Sequence, residues 1–396
     1  MMSPEKEIAA AGFSVTLRGF SAIDAYLERA PSQAVRLFFD GDICDLARIF
    51  EGLRYPGAAF ADAALDCSEK TWYFRCAPLE SEDITRGGFD FLDFYMDCET
   101  LEFSGGEKTL AILRNLKSGM QKNEDARAAL LDRAAFSDGP SAAIECALIL
   151  ARFFPDFSPR EIKAFAQKLR DKIDSRELGI EEQRLALIEL LEAPSPAAGF
   201  EFLKSAGFVG AHWPELAEMD EVDHSKEFHP EGNVWNHTME TLRHRKPSGS
   251  GFDLRLSLAL LLHDAGKSVS QRLSGRAPSG APTSRRPFEA HAQLGEREAA
   301  RFLARLGFGA HISRDVCYLV RNHMLPAALP RLPLSFTGEK MASPLFPLLM
   351  ELYRFDESSS FKGLDGYYES SAAYQSFLRH RRNPFRSADG KKLRRN

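Results

Sequence analysis

The sequence predicts an α+β protein, with a small mixed α/β unit at the N-terminus followed by a mostly helical remainder. Short apolar runs separated by Gly and Pro predict strands before residue 110, whereas apolar residues take helical spacing from Glu107 onward. All ten histidines lie after residue 211, which places any histidine chemistry in the helical part. Because 396 residues exceed what one hydrophobic core usually organises, we expect two or three domains.

Composition narrows the class of protein. Hydrophobic residues make up 44% of the chain, charged residues make up 27%, and the formal net charge is −5. These values are typical of a globular protein and give no general case for binding nucleic acid or a membrane. The longest apolar run, near 256–262, is too short to span a bilayer. No feature of the sequence indicates the oligomeric state.

The cysteines indicate a reducing compartment. They are scattered without a C-x-x-C pair, and the N-terminus has no basic segment that runs into an apolar stretch. The six positions are Cys44, Cys67, Cys76, Cys98, Cys146 and Cys317. We therefore expect a cytoplasmic location.

Local patterns predict the individual elements. Strands are predicted at 34–39, 71–74 and 89–95, with a helix at 44–53 whose start is marked by Asp40 and Asp42. Further helices are predicted from the spacing of apolar residues at 110–120, 144–153, 162–173, 182–192 and 254–262.

Two segments of the second half lack such spacing. Residues 268–287 are rich in Ser, Gly, Pro and Arg, and long loops of this kind inside a domain are usually functional or disordered. Residues 379–396 hold eight Lys or Arg against the single acid Asp389. We expect a long loop at the first segment and a solvated basic tail at the second.

The apolar helix predicted at 254–262 leads directly into His263 and Asp264. Neighbouring helical residues point about 100° apart, so this pair can serve one metal site only if the ion lies between them and other helices supply further ligands. Candidates in helical context are His237, His291, His323 and Asp356. Neutral imidazole and carboxylate oxygen together suit ions such as Zn, Mn, Fe or Ni. The sequence predicts a cage of helices around one or two ions.

Four blocks of sequence in this half resemble the HD-domain phosphohydrolases. In chain order they are HPEGNVWNHTME at 229–240, LALLLHDAGK at 258–267, FEAHAQLGEREAARFLARLGF at 288–308 and LVRNHM at 319–324. The closest similarity is to the HD domain fused to bacterial class II tRNA nucleotidyltransferases, the CCA-adding enzymes and their poly(A) polymerase relatives. Residues 181–208 and 213–224 are similar to the neck of that family, and 87–106 to the end of its catalytic head.

The resemblance implies an order of domains along the chain. It begins with a nucleotidyltransferase-like head at 1–110 and a helical neck at 111–215. An all-α HD phosphohydrolase domain at 216–370 and a basic tail at 371–396 complete it.

The head departs from the family's pattern. No Gly-Gly turn with its Arg-Asp pair precedes residue 87, and Gly87-Gly88-Phe89-Asp90 stands where the family has Arg-Arg-Asp. Asp40-Gly41-Asp42 is a formal match to the family's D-x-D magnesium pair, although both aspartates also suit a turn and a helix N-cap. We interpret the head as degenerate and expect its nucleotidyl transfer to be lost.

Within the HD domain, the resemblance implies the role of each site residue. Asp264 and Lys267 would be catalytic, and Asp356 suits the family's last ligand position better than Asp315 does. The implied ligands to one or two ions of Mn, Mg, Ni, Fe or Co are His237, His263, Asp264, His291, His323 and Asp356. The implied contacts to substrate are His229, Lys267, Arg272 and Arg276.

Several of these residues also have a purely structural interpretation. His263 can compensate the dipole of its helix, Lys267 can cap a helix end, and His229 can form a turn with Pro230. A lone histidine on an amphipathic helix, such as His323, is often a satisfied structural group.

The sequence therefore predicts a metal-dependent phosphohydrolase that acts on phosphomonoesters or on 2',3'-cyclic phosphodiesters of nucleotides or RNA ends. Two alternatives remain. One is nucleotidyl transfer to tRNA 3' ends, in which Asp40 and Asp42 would hold Mg. The other is a non-catalytic RNA-binding relative, so tRNA is a candidate partner.

Overall fold

The computed structural model describes most of the chain in two compact units. The described residues are 3–58, 60–67, 70–77, 94–117, 140–153, 158–170, 178–222, 232–247, 251–274, 291–360 and 363–381. The N-terminal unit comprises Met1–His212 with Pro247–Phe252, and the C-terminal unit comprises Trp213–Lys246 with Asp253–Asn396.

A mixed six-stranded sheet organises the first part of the N-terminal unit. Its strands are β1 Val15–Arg18, β2 Ala34–Phe39, β3 Ala63–Cys67, β4 Lys70–Cys76, β5 Tyr95–Asp97 and β6 Phe103–Ser104. They lie in the order β3-β4-β2-β1-β5-β6, and β2 and β4 are the parallel pair. The strands predicted at 34–39 and 71–74 are confirmed. Of the strand predicted at 89–95, Tyr95 begins β5, and residues 89–93 lie outside the described residues.

The sheet forms because alternating apolar residues on its strands share one core. Val35, Leu37 and Phe39 of β2 are buried together with Trp72 and Phe74 of β4. These side chains leave water on folding, which is the main favourable contribution to this part of the fold.

Nine helices are described in the N-terminal unit. They are α1 Pro4–Ala10, α2 Gly19–Tyr26, α3 Ile43–Ile49, α4 Glu107–Lys117, α5 Pro140–Phe153, α6 Pro159–Arg170, α7 Ile180–Glu192, α8 Pro196–Ser205 and α9 Phe208–His212. The helix predicted at 44–53 thus ends earlier, at Ile49, because Phe50 adopts an extended backbone. The helices predicted at 144–153 and 182–192 are confirmed. Those predicted at 110–120 and 162–173 are helical as far as Lys117 and Arg170, and the last three residues of each predicted range lie outside the described residues.

The described elements of the C-terminal unit are all helical. They are α10 Pro214–Ala217, α11 Val234–His244, α12 Leu254–Leu262, α13 Gly266–Ser274, α14 His291–Arg305, α15 Ala310–Asn322, α16 Leu325–Ala328, α17 Leu334–Met341, α18 Phe346–Ser358 and α19 Asp365–Arg381, with a short 3₁₀ helix at Glu218–Glu221. The predicted α+β class is therefore confirmed.

Helix α12 is the centre of this unit. Every residue of α12 except Arg255 is buried, and the helix packs against α11, α15 and α18. It begins at Asp253, whose side chain accepts hydrogen bonds from the main-chain N–H groups of Arg255 and Leu256. The dense run of leucines makes α12 apolar on nearly all sides, and such a helix is stable when other helices surround it.

Part of the loop prediction at 268–287 is wrong, because residues 268–274 belong to α13. Ser268 and Ser270 are buried, and the Ser268 hydroxyl donates to Ala265 O at 2.9 Å, so a serine that suggests a loop is here satisfied by the turn that precedes the helix. Residues 275–287 lie outside the described residues. Helix α19 includes 371–381, and the rest of the predicted tail, 382–396, also lies outside them.

Length and apolar character together decide whether a helix can cross a membrane. Within the described ranges, no helix combines the two to the extent that a bilayer crossing requires.

Candidate metal centre

Six side chains from five parts of the C-terminal unit converge on one place. His237 lies on α11, His263 and Asp264 directly follow α12, His291 begins α14, His323 follows α15 and Asp356 lies on α18. Their ligand atoms form two groups of three, in each of which the atoms lie within 4.8 Å of one another. The first group is His237, His263 and Asp356, and the second is Asp264, His291 and His323. All six ligands predicted from the sequence are thus brought together.

The first group is arranged around short nitrogen-to-oxygen distances. His237 Nε2 lies 3.0 Å from Asp356 Oδ1, and His263 Nε2 lies 3.8 Å from the same oxygen. Asp264 Oδ2 approaches this group, at 3.4 Å from His263 Nε2 and 3.8 Å from His237 Nε2. Asp264 therefore belongs to the surroundings of both groups.

The second group uses the other oxygen of Asp264. Its Oδ1 lies 3.5 Å from His291 Nε2 and 3.9 Å from His323 Nε2. The two imidazoles place their Nε2 atoms 3.0 Å apart. The carboxylate of Asp264 thus stands between two pairs of imidazoles, with one oxygen facing each pair.

Two of the imidazoles are oriented by the main chain. His263 and His323 each lie at the C-cap of a helix, and each Nδ1–H donates to a carbonyl three residues back. The acceptors are Leu260 O at 2.9 Å and Val320 O at 2.6 Å. This hydrogen bond satisfies a helix-terminal carbonyl and leaves Nε2 as the nitrogen that carries a lone pair. A role of His263 at the helix end, through Nδ1, is therefore compatible with a role as a metal ligand through Nε2.

The charges of the site favour the protonation states that bind a cation. Burial would raise the pKa of Asp264, but Lys267 and the imidazoles of His263, His291 and His237 outweigh it and hold this pKa well below its usual value. Burial is likewise outweighed at Asp356, where the close contact with His237 and the neighbouring His263 lower the pKa. Burial lowers the pKa of His323 to about 3, so this imidazole is neutral at neutral pH.

The site is buried on most sides. His237, His263 and His323 are each 1% exposed, whereas the side chain of Asp356 keeps 23% of its surface in contact with solvent. Among the six predicted ligands, Asp356 has the most exposed side chain.

Lys267 makes an ion pair inside the site. Its Nζ lies 2.6 Å from Asp264 Oδ2, and its side chain is 12% exposed. The lysine therefore pairs with Asp264 instead of only capping a helix. Its ammonium group lies next to one of the six predicted metal ligands.

The other predicted substrate contacts fall elsewhere or outside the described residues. Arg272 pairs with Glu218 at 2.8 Å and lies five residues after Lys267, about 140° around the helix from it. The structure does not bring Arg272 into the cluster of ligands. His229 and Arg276 lie outside the described residues.

The two aspartates of the predicted alternative site have structural partners. Asp42 is the N-cap of α3 and accepts from the N–H groups of Cys44 and Asp45 at 2.7 and 2.9 Å. Asp40 accepts from the N–H and hydroxyl of Ser14 at 2.9 and 2.7 Å. Asp42 thus acts as a helix N-cap, whereas Asp40 binds the distant residue Ser14 and not a residue of its own turn.

Close helix packing, which the sequence did not reveal, positions His291. A Cβ atom at Gly266 would lie 2.1 Å from His291 O and 2.3 Å from Gly295 N. Only a glycine at 266 allows α14 to approach α13 this closely. A small residue on each of two adjacent helices is the signal that could have indicated this contact.

The residues present fit a divalent ion. His263 Nε2 is buried and has no hydrogen-bond partner within the described part of the chain. Ligand atoms bonded to one ion at about 2.0–2.2 Å lie roughly 3–3.6 Å apart, which is close to the separations in both groups. A buried nitrogen lone pair is costly unless a donor or a cation meets it.

The fold and the site define a helical domain with a buried His/Asp cluster whose ligand atoms could hold a divalent ion. A family model described as "HD domain" matches residues 233–353. Residues 233–353 are therefore similar to HD domains, and part of the chain is similar to the tRNA nucleotidyltransferases described below.

Two relatives give the extent of this similarity. The "CC-adding tRNA nucleotidyltransferase" of Thermus thermophilus is 30% identical over 160 residues, which cover 40% of this chain and 34% of that protein. The "A-adding tRNA nucleotidyltransferase" of Deinococcus radiodurans is 34% identical over 150 residues, which cover 37% and 32%. The chain thus spans about a third of the length of these relatives. A solved "tRNA-processing enzyme (apo form 2)" aligns over 96% of this chain and 95% of its own, with a TM-score of 0.40 and 12% identity.

Proposed function

We propose that the C-terminal unit is a metal-dependent phosphohydrolase for phosphomonoesters or 2',3'-cyclic phosphodiesters of nucleotides or RNA ends. The observation that carries this proposal is the convergence of four imidazoles with the carboxylates of Asp264 and Asp356, beside the ammonium of Lys267. A bound divalent ion such as Mn, Mg, Ni, Fe or Co would supply Lewis acidity that activates water and neutralises phosphoryl charge.

Each residue of the site has a proposed role in this chemistry. His237, His263 and Asp356 would hold one ion, and His291 and His323 would hold a second. Asp264 joins the two groups through its two oxygens. A substrate phosphate enters from the solvent side of Asp356 and receives a charge-assisted hydrogen bond from Lys267 Nζ.

The test combines metal analysis of the purified protein with a screen of phosphoesters that includes 2',3'-cyclic AMP. Asp264→Ala should remove both bound metal and turnover. Asp365→Ala is the matched control, because Asp365 is exposed at the start of α19. An unchanged rate in Asp264→Ala contradicts the proposal. Bound metal without hydrolysis of any phosphoester favours a non-catalytic RNA-binding relative.

Lys267→Met separates substrate binding from metal binding. If Lys267 contacts phosphate, this variant should keep its metal and show a raised KM. A loss of metal with an unchanged KM in the remaining active fraction assigns Lys267 to the support of Asp264 alone.

A second candidate function is nucleotidyl transfer to tRNA, which the names of the two relatives favour. Asp40 and Asp42 would then have to hold Mg, although both are engaged in local hydrogen bonds. Incorporation of labelled CTP or ATP into tRNA tests this activity. Incorporation that is lost in Asp42→Ala establishes it and contradicts a degenerate head.

The cytoplasm is the location that we propose for this activity. All six cysteines are free thiols, which suits a reducing compartment. The candidate substrates, nucleotides and RNA ends, are also found there.

A further inference from the structure

The ring of His237 has a second nitrogen that faces a hydroxyl instead of the ligand cluster. Ser359, at the C-cap of α18, places its Oγ 3.3 Å from His237 Nδ1. Both residues are buried, with Ser359 9% exposed and His237 1% exposed. Water is therefore a poor substitute for this contact.

The single hydroxyl proton of Ser359 is already committed. It is donated to the main-chain oxygen of Asp356 at 2.6 Å, so the lone pairs of Ser359 Oγ face His237. The neighbouring Thr241 hydroxyl donates its only proton to His237 O at 2.8 Å. A hydrogen bond between Ser359 and the ring therefore requires the proton to be on His237 Nδ1.

We propose that Ser359 is a positioning residue that accepts the Nδ1–H of His237 and so holds this imidazole in the tautomer whose Nε2 lone pair faces the metal centre. The inference rests on the proposed function, because it assumes that Nε2 of His237 binds an ion. In the opposite tautomer, Nε2 carries the hydrogen and donates it to Asp356 Oδ1, which lies 3.0 Å away. That tautomer has no lone pair to offer a cation at this position.

The need for a side-chain acceptor follows from where His237 lies. His263 and His323 stand at helix ends, where carbonyls remain available for their Nδ1–H groups. His237 instead lies within the first turns of α11, and the carbonyl of Val234, three residues back, already accepts from the Thr238 hydroxyl. Because a mid-helix carbonyl also serves the helix itself, the tautomer of His237 depends on another element.

Three variants test the proposal with Zn²⁺ as a diamagnetic probe. Ser359→Ala should weaken Zn²⁺ binding about 10- to 100-fold, the usual effect of removing a group that orients a metal ligand. Ser359→Thr keeps the hydroxyl and should recover most of the affinity. Ser358→Ala is the matched control, because Ser358 Oγ donates to Arg354 O at 2.7 Å in the same helix turn. The control should bind Zn²⁺ like the unmodified protein.

A second readout reports the tautomer directly and needs no variant of Ser359. In ¹⁵N NMR spectra of the Zn²⁺-bound protein, His237 should show a protonated Nδ1, with its signals assigned by their loss in His237→Gln. Signals of an unprotonated Nδ1 overturn the proposal. Equal Zn²⁺ affinities of Ser359→Ala and the unmodified protein also overturn it.

The outcomes separate this inference from the function on which it rests. If the unmodified protein binds neither Zn²⁺ nor any other divalent ion, the proposed function fails and the role of Ser359 fails with it. If the unmodified protein binds Zn²⁺ and Ser359→Ala binds it equally well, only the role of Ser359 is wrong.

Discussion

Buried carboxylates occur in both units of the molecule, but their partners differ. In the N-terminal unit, Asp24 is 4% exposed and accepts from Arg152 Nη1 at 2.6 and 2.5 Å. In the C-terminal unit, Asp264 is 2% exposed and faces four imidazole nitrogens at 3.4 to 3.9 Å, together with Lys267. The first carboxylate is thus paired by short hydrogen bonds, and the second stands at the middle of a group of ligands.

This difference separates a structural ion pair from a candidate active site. Arginine is always charged, so Arg152 neutralises the carboxylate of Asp24 without a metal ion. Around Asp264, two carboxylates face one ammonium, so one negative charge is left over wherever the imidazoles are neutral, as that of His323 is at neutral pH. Nitrogen and oxygen ligand atoms that lie close together and carry an excess of negative charge provide a site for a cation.

The largest expected effect comes from breaking the structural pair. Asp24→Asn leaves the guanidinium of Arg152 buried without its counter-ion and should lower the free energy of unfolding by about 3–5 kcal/mol. Bound metal per folded molecule should stay unchanged. Chemical denaturation and metal analysis measure the two quantities, with Asp365→Asn as the exposed control. A loss of metal in Asp24→Asn would contradict a purely structural role for Asp24.

Raising the pH should lower the free energy of unfolding through Glu192, a buried carboxyl group near Asp24 and Arg152. Burial raises the pKa of Glu192 to about 7, although its carboxylate accepts hydrogen bonds from Ser32 and from Gln33 N. The folded protein therefore binds this proton more tightly than the unfolded chain. The resulting stability is complete below about pH 4.5 and is lost as the pH rises through about 7.

The size of this effect is at most about 3 kcal/mol, because one pKa unit corresponds to about 1.4 kcal/mol. Unfolding curves between pH 4 and 9 measure it, and Glu192→Gln should remove this part of the dependence. Identical pH profiles of the two proteins would show that Glu192 has an ordinary pKa.

Adding a divalent ion should stabilise the C-terminal unit selectively. At a concentration 100 times the Kd, the gain is about 2.7 kcal/mol. Hydrogen exchange should then slow in α12, while the amides of β2 keep their rates. The Asp264→Ala variant should show no such protection. Equal protection of both units would place the bound ion somewhere other than this centre.

The smallest effect is expected from the packing beside the centre. Gly266→Ala places a Cβ atom against the main chain of α14 and should destabilise the fold by about 1–3 kcal/mol. Because His291 begins α14, metal affinity should fall as well. Gly309→Ala is the control, since a Cβ atom at residue 309 would have no neighbouring atom within 4 Å. Unchanged metal binding in Gly266→Ala would mean that His291 contributes little.

Local sequence patterns were sufficient for the elements whose stability is local. Alternating apolar residues predicted β2 at 34–39, and the leucine-rich segment 254–262 predicted α12 with His263 at its end. The same patterns failed at 268–274, where the buried Ser268 donates its hydroxyl to Ala265 O just before α13. Many serines indicated a loop there, because composition does not show whether a serine hydroxyl finds a main-chain acceptor nearby, as Ser268 does.

The sequence alone determined which chemistry the protein carries, because the residue types and the order of the blocks around His237, His263 and Asp264 restrict the ligands to imidazole and carboxylate. Only the tertiary structure decided how these ligands are arranged. The division of Asp264 between two groups and the contact of Ser359 with His237 depend on helices that are far apart in the chain. Such contacts arise from packing in three dimensions, and one-dimensional spacing carries no information about which atom of a side chain faces which partner.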